Sequence, residues 1–297
     1  MTATGWPSEP KFHGVVVGVD GSALALSAVE WAAREAALRD LPLTIVHVMP
    51  ATVTGSWIDV SPEFWTARTR RAEGLVAEAL VSASKAVPAP RVPVRQKVLS
   101  TPVGPALADM SKDANMMVVG SRGLGGVPAL LLGSVSSGLL HHAHCPVAVI
   151  HDEGDSLPDT ATAPVVVGID GSPASELATA IAFDEASRRG VGLIAVHVWG
   201  DETDDYVNGT WDSSGDWADE TLGERLAGWA ERYPDVSVQR VVERNRPAQS
   251  LIEHAHGAQL LVVGSRGRGG FTGLLLGSVS SAVAQGARIP VLVARRP

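Results

Sequence analysis

Short runs of β-branched and aliphatic residues alternate along this chain with longer stretches whose apolar positions recur at helical spacing. In the first half the runs at 15–19, 43–48, 92–99, 116–119 and 146–150 predict strands. The stretch 22–39 predicts a helix, because Ala25, Val29, Ala32 and Ala36 share one face, and Glu30 and Arg34 predict an exposed i,i+4 pair on it. The runs at 15–19 and 116–119 carry no charge, as expected of strands covered on both faces. Strands alternating with helices predict βαβ units and a parallel sheet.

The pattern occurs twice. VVVGVDGS at 15–22 returns as VVVGIDGS at 165–172, and Val46-His47-Val48 returns as Val196-His197-Val198, both at an offset of 150 residues. VVGSRG at 118–123 returns at 262–267, and LLLGSVSS at 130–137 returns at 274–281, both at an offset of 144, so the second copy is six residues shorter in its middle. Each copy is long enough to bury its own core, which predicts two domains rather than a solenoid. The expected boundaries are 1–151 for the first domain, 152–163 for a polar linker containing Gly154 and Pro158, and 164–297 for the second. Ser172 followed by Pro173 predicts an N-cap with proline at the first helical position.

Composition narrows the classes of function. With 45% hydrophobic and 19% charged residues, the chain is expected to build ordinary cores. A net charge of -8 and no run of Lys or Arg longer than a pair argue against a nucleic-acid partner, while leaving room for a small anion held by a few local donors. Cys145, the single cysteine, permits no intramolecular disulfide, which predicts a reducing, cytoplasmic setting. Residues 1–11 lack the apolar core of a secretory signal, and no stretch approaches the ~20 apolar residues that cross a bilayer, so no membrane insertion is expected.

The candidate chemistry lies in two glycine-rich segments. Gly120, Gly123, Gly133 and Ser134 form the pattern G-x2-G-x9-G-S, repeated by Gly264, Gly267, Gly277 and Ser278. Each begins where a strand ends and finishes where a helix begins. A phosphate chain needs inward main-chain N–H groups, side chains out of the way, and a helix N-terminus. One such loop is weak support, since turns also demand glycine; two in the same register are hard to explain as punctuation. Arg122, Arg266 and Arg268 could add positive charge at the rim. Asp20 and Asp170 follow the first strand of each copy. On local sequence each is as well explained by a turn or helix cap as by a ligand contact. Across a parallel sheet, though, Asp20 would face the Gly120 loop at the switch in winding direction.

These residues resemble the universal stress protein family, in particular its ATP-binding branch and its tandem form found in mycobacteria, over nearly the whole chain. The resemblance implies two Rossmann-like α/β domains, each a five-stranded parallel sheet of order 3-2-1-4-5. It implies ATP as ligand, with Mg²⁺ arriving on the nucleotide. Adenine and ribose contacts would come from Asp20 and Val48, and from Asp170 and Val198. Phosphate contacts would come from Gly120, Ser121, Gly123, Gly133, Ser134, Val135 and Ser136, and in the second copy from Gly264, Ser265, Gly267, Gly277, Ser278, Val279 and Ser280. It also implies a homodimer of tandem chains and a nucleotide-dependent role in stress response or growth. The competing reading is an enzyme that hydrolyses ATP slowly or adenylates a substrate, but no base and no convergent acid/base pocket can be located.

Other features are set aside. His141, His142, His144 and Cys145 have metal-like spacing, yet the second copy has Gln285, Gly286, Arg288 and Ile289 there, and a helix end with favourable histidines is the simpler account. His47 and His197 sit within predicted strands and read as satisfied histidines rather than bases. Trp57, Trp65, Trp199, Trp211 and Trp217 read as packing residues rather than as a lid over adenine. A dinucleotide fingerprint and a Walker loop are both missing from their required positions.

Overall fold

The computed structural model describes residues 11–50, 61–88, 92–124, 132–151, 162–199, 215–244, 246–267 and 275–295. These fall into two compact units divided between residues 150 and 151. The expected linker lies almost wholly outside the described residues.

The first unit runs β1 (Gly14–Gly18), α1 (Ala23–Leu38), β2 (Leu43–Met49), α2 (Pro62–Ala86), β3 (Val94–Ser100), α3 (Val103–Met110), β4 (Ala114–Gly120), α4 (Ser134–His142) and β5 (Val147–Ile150). All its strand pairs are parallel, in the order β3-β2-β1-β4-β5. The register sets Val15 beside Leu43 on one side and Met116 on the other. Helices α1 and α2 cover one face of the sheet, and α3 and α4 the other. Covering on both faces explains why β1 and β4 are almost fully buried. Chain winding reverses between β1 and β4, which opens a crevice at their carboxyl ends.

The second unit repeats the design with β6 (Val165–Gly168), α5 (Pro173–Arg189), β7 (Leu193–Trp199), α6 (Gly215–Arg232), β8 (Val238–Arg244), α7 (Pro247–His254), β9 (Leu260–Gly264), α8 (Ser278–Gly286) and β10 (Val291–Ala294). Its strands are again all parallel, in the order β8-β7-β6-β9-β10. Phe183, fully buried on α5, stacks on Trp229 at 5.9 Å and Tyr233 at 5.8 Å, fastening α6 down.

Local sequence explains most boundaries. Ser22 caps α1 by accepting from the Ala25 N–H, and Ser172 caps α5 from the Ser175 N–H with Pro173 in the first turn. Helix α5 ends on Gly190 in the left-handed conformation. Ala25, Val29, Ala32 and Ala36 are all buried on α1, as their spacing predicts.

Several expectations shift. β3 begins at Val94 rather than residue 92, after Pro93, which has no N–H to donate. β1 ends at Gly18 rather than residue 19, because a side chain takes the Val19 carbonyl. Glu30 accepts from the Ser82 hydroxyl of α2 at 2.9 Å, whereas Glu35 and Arg39, both almost fully buried, form an i,i+4 ion pair on α1. Glu185 and Arg189 repeat that pair on α5. Among the described residues no helix is long and apolar enough to cross a membrane.

Gly14 opens β1 with φ of 61°, and a Cβ there would run into the Pro42 carbonyl that accepts the Val15 N–H. Gly14→Ala is therefore expected to destabilise the first unit by about 2 kcal/mol or more, measurable by urea denaturation.

Candidate functional site

Beyond Gly18 the chain turns through Val19, Asp20 and Gly21 into the cap of α1. The Asp20 carboxylate does two things there. Its Oδ1 accepts from the Ser22 N–H at 2.9 Å, the aspartate turn that local sequence allowed. Its Oδ2 accepts from the Leu124 N–H, also at 2.9 Å, reaching across to the loop after β4. Gly123 is pressed against the same carboxylate, so that a Cβ would overlap Oδ2. The glycine is thus required by close approach between a loop and an acid side chain.

The start of α4 is fixed to the end of β4 by two bonds. The Gly133 N–H donates to the Ser121 carbonyl at 2.7 Å, and the Ser136 hydroxyl donates to the Gly120 carbonyl at 2.6 Å. Ser121 itself is buried, and its N–H donates to the Ile150 carbonyl at 2.7 Å. Gly133 caps α4 without any side-chain bond, and the first turn carries no acid. By contrast, α1 and α5 have their caps filled by serine. The first-turn N–H groups of α4, on Ser134, Val135 and Ser136, have no carbonyl a turn earlier within the helix. They present the positive end of the helix dipole.

These parts surround a cleft of about 390 Å³ at the carboxyl ends of β1, β2 and β4. Of the residues singled out from sequence in the first copy, Asp20, Val48, Gly120, Gly123, Gly133, Ser134, Val135 and Ser136 line it, with Arg122 at the rim. Ser121 does not line it; its main chain serves as a strut. Two of the lining residues have donors already engaged inside the protein. The Gly133 N–H and the Ser136 hydroxyl proton are both spent on carbonyls, which leaves the Ser136 N–H and the exposed Ser134 hydroxyl at the helix mouth.

The second copy repeats the geometry. Asp170 accepts from the Ser172 N–H at 2.9 Å, and a Cβ on Gly267 would lie 2.6 Å from its Oδ2. The Gly277 N–H donates to Ser265 at 2.8 Å, and Ser280 Oγ to the Gly264 carbonyl. Ser265 donates its own N–H to Ala294 at 3.0 Å. Gly277 caps α8, with Ser278 and Val279 next, again without a side-chain bond or an acid. Two bonds are peculiar to this copy: Ser172 Oγ donates to the Arg266 carbonyl at 3.1 Å, and the Gly171 N–H donates to Ser175 Oγ at 3.0 Å, where the first copy has Ala25. Arg268 lies outside the described residues.

Sequence reasoning missed some of the cleft. Val103 and Leu107 of α3 form an apolar wall, signalled only by the amphipathic spacing of that short helix. His47 also lines the cleft, and its Nδ1 lies 2.7 Å from the Val19 carbonyl. His197 does the same to Ile169 at 2.7 Å, so both are satisfied histidines. His141 and His142 occupy the last turn of α4, and His141 bonds the Ser137 carbonyl. Among the described residues no group of three or more His, Cys, Asp or Glu could hold a metal. Trp65 meets Phe64 edge-on beneath Arg68, and Trp199 lies beneath Arg244. Trp57, Trp211 and the Trp217 side chain lie outside the described residues.

Comparison with known proteins adds the following. The model of the universal stress protein family matches residues 11–151 and again 162–295. A universal stress protein of Mycobacterium tuberculosis is 51% identical over 286 residues, covering 95% of this chain and 96% of the relative. Another from the same organism is 53% identical over 291 residues, covering 96% and 98%. Among solved structures, a universal stress protein from Archaeoglobus fulgidus superposes with a TM-score of 0.72 at 21% identity, covering 95% of this chain and 96% of that one.

Replacing Ser136 by Ala removes one tie between α4 and β4 and leaves the part-buried Gly120 carbonyl short of a donor. The first unit should lose about 1 kcal/mol. Urea denaturation of the Ser136→Ala variant beside wild type checks this.

Proposed function

The chain belongs to the universal stress protein family, and from that premise we propose that it binds ATP, one molecule in each unit, and acts as a nucleotide-dependent regulator of stress response or growth. The observation that carries this reading is the acid-free, glycine-capped start of α4 opening into the same cleft as Asp20. A cleft of about 390 Å³ with a largely apolar wall and a few polar groups is of the size that takes small ligands.

The polarity of the cleft orients the ligand. Negative phosphate belongs at the start of α4, where the N–H groups of Ser134, Val135 and Ser136 gather beside Gly123 and the Arg122 guanidinium. The neutral nucleoside then lies toward Asp20 and Val48, with Val103 and Leu107 supplying apolar surface. The corresponding groups in the second unit are Asp170 and Val198 for the nucleoside, and Gly264, Gly267, Gly277, Ser278, Val279 and Ser280 for the phosphates. Mg²⁺ would be held chiefly by the phosphates themselves. The exposed Ser134 hydroxyl, at the start of α4, is a first-copy side chain suited to join it.

Turnover should be slow. Among the described residues, the titratable side chains lining the cleft are Asp20, His47 and Arg122. Asp20 already accepts from the Ser22 and Leu124 N–H groups, His47 Nδ1 is held by the Val19 carbonyl, and Arg122 is a permanent cation. None is placed to activate water at a terminal phosphate.

Calorimetric titration with ATP should find two sites per wild-type chain. Asp20→Ala and Gly123→Glu should each weaken the first site by about tenfold or more and leave the second intact, the former by deleting an acceptor, the latter by forcing bulk and negative charge into the cradle. Asp170→Ala should mirror this at the second site. Two undiminished sites in these variants, or none in wild type, overturn the assignment. Hydrolysis faster than about 1 s⁻¹ would favour an ATP-using enzyme instead.

A further inference from the structure

A parallel ladder joins β1 to β2, and its last main-chain rung is the Val19 N–H donating to the Val46 carbonyl at 2.9 Å. The next rung of a regular parallel ladder would join the Val19 carbonyl to the Val48 N–H. Among the described residues no main-chain donor reaches that carbonyl. Instead His47 Nδ1 sits 2.7 Å from it. A carbonyl only accepts, so Nδ1 carries the proton.

The phase of β2 then decides what is left over. Leu43 donates to Pro93 and Met49 accepts from Thr101, so the odd-numbered residues of β2 face β3. The N–H and carbonyl of Val48 therefore face the β1 side, where the strand has already ended. Val48 is 7% exposed and lines the cleft. The second unit repeats the bonds and the phase: Ile169 donates to Val196 at 2.9 Å, His197 Nδ1 lies 2.7 Å from the Ile169 carbonyl, and Leu193 donating to Ser237 sets the same phase for Val198.

We propose that His47 and His197 are positioning residues for recognition of the adenine base: each ring replaces the final rung of a sheet ladder, leaving the peptide groups of Val48 and Val198 for the ligand. The proposal rests on the ATP reading above. A peptide N–H beside a peptide carbonyl matches a ring nitrogen beside an exocyclic amine, the edge that adenine offers and guanine reverses. The same bond holds the peptide leading into Asp20, or Asp170, so one side chain sets both groups that face the nucleoside. With no donor at position 47, the Val19 carbonyl is free to take the Val48 N–H and zip the strands one rung further.

The test uses the full chain with His47→Phe, which keeps a ring but lacks the donor, and His47→Asn, whose amide nitrogen lies near the place of Nδ1. His47→Leu replaces the Phe variant should that one misfold. His47→Phe should lower ATP affinity at the first site about tenfold, erase its preference over GTP, and leave inorganic tripolyphosphate within about twofold of wild type. His47→Asn should restore ATP binding to within about threefold, and the second site should be untouched throughout. In ligand-free protein, the Val48 amide should exchange hydrogen about tenfold more slowly in His47→Phe than in wild type, as the extra rung forms. Unchanged Val48 exchange, equal losses for ATP and tripolyphosphate, or no rescue by Asn would each overturn the proposal. If wild type takes up no adenine nucleotide, the ATP reading fails by itself, and Val48 exchange still decides whether the histidine ends the ladder.

Discussion

A parallel sheet must stop somewhere, and where it stops its peptide groups lose their partners. Buried N–H and carbonyl groups left unpaired are costly, so several strand ends here are met by something specific. The Val19 carbonyl is met by the His47 ring, the Gly120 carbonyl by the Ser136 hydroxyl, and the Ser121 carbonyl by the Gly133 N–H. The cleft is what remains once these obligations are met. Among the described residues, the peptide groups of Val48 and of the first turn of α4 border it, opposite the apolar surface of Val103 and Leu107.

This constraint explains why the site sits between β1 and β4. Only there do successive connections leave in opposite directions, to α1 on one face and through the Gly120 loop to α4 on the other. The gap has to be bridged, and Asp20 bridges it by accepting from Ser22 on its own side and Leu124 on the far side. The loop must lie close for that bond, which is why Gly123 tolerates no side chain. The acid therefore has a structural duty and a place in the cleft at once, and the two readings of Asp20 that local sequence left open are compatible.

Much of this was legible in the sequence. Repetition of VVVGxDGS, VVGSRG and LLLGSVSS marked two copies of one domain, and apolar runs free of charge marked the central strands. The glycine and serine pattern identified the loop and helix that line the cleft. What could not be read was direction. The helical spacing of Ala25, Val29, Ala32 and Ala36 fixes a buried face, yet does not reveal that Glu35 and Arg39 are buried too, since a pair that neutralises itself leaves no gap in a charge pattern. Ser121 and Ser136 look equally eligible for a phosphate, and only three-dimensional partners show that one is a strut and the other has spent its proton. His47, set among valines, gives no sign that its ring ends a ladder.

The tie between Ser136 and Gly120, matched by Ser280 and Gly264, bears on the timing of order. Because a hydroxyl within the domain holds each helix start against its strand, the entropy of shaping that end of the cradle is lost when the polypeptide folds, and not again at each encounter with a visiting molecule. That corner of the crevice is consequently a rigid seat, and any rearrangement that signals occupancy has to arise elsewhere along the rim.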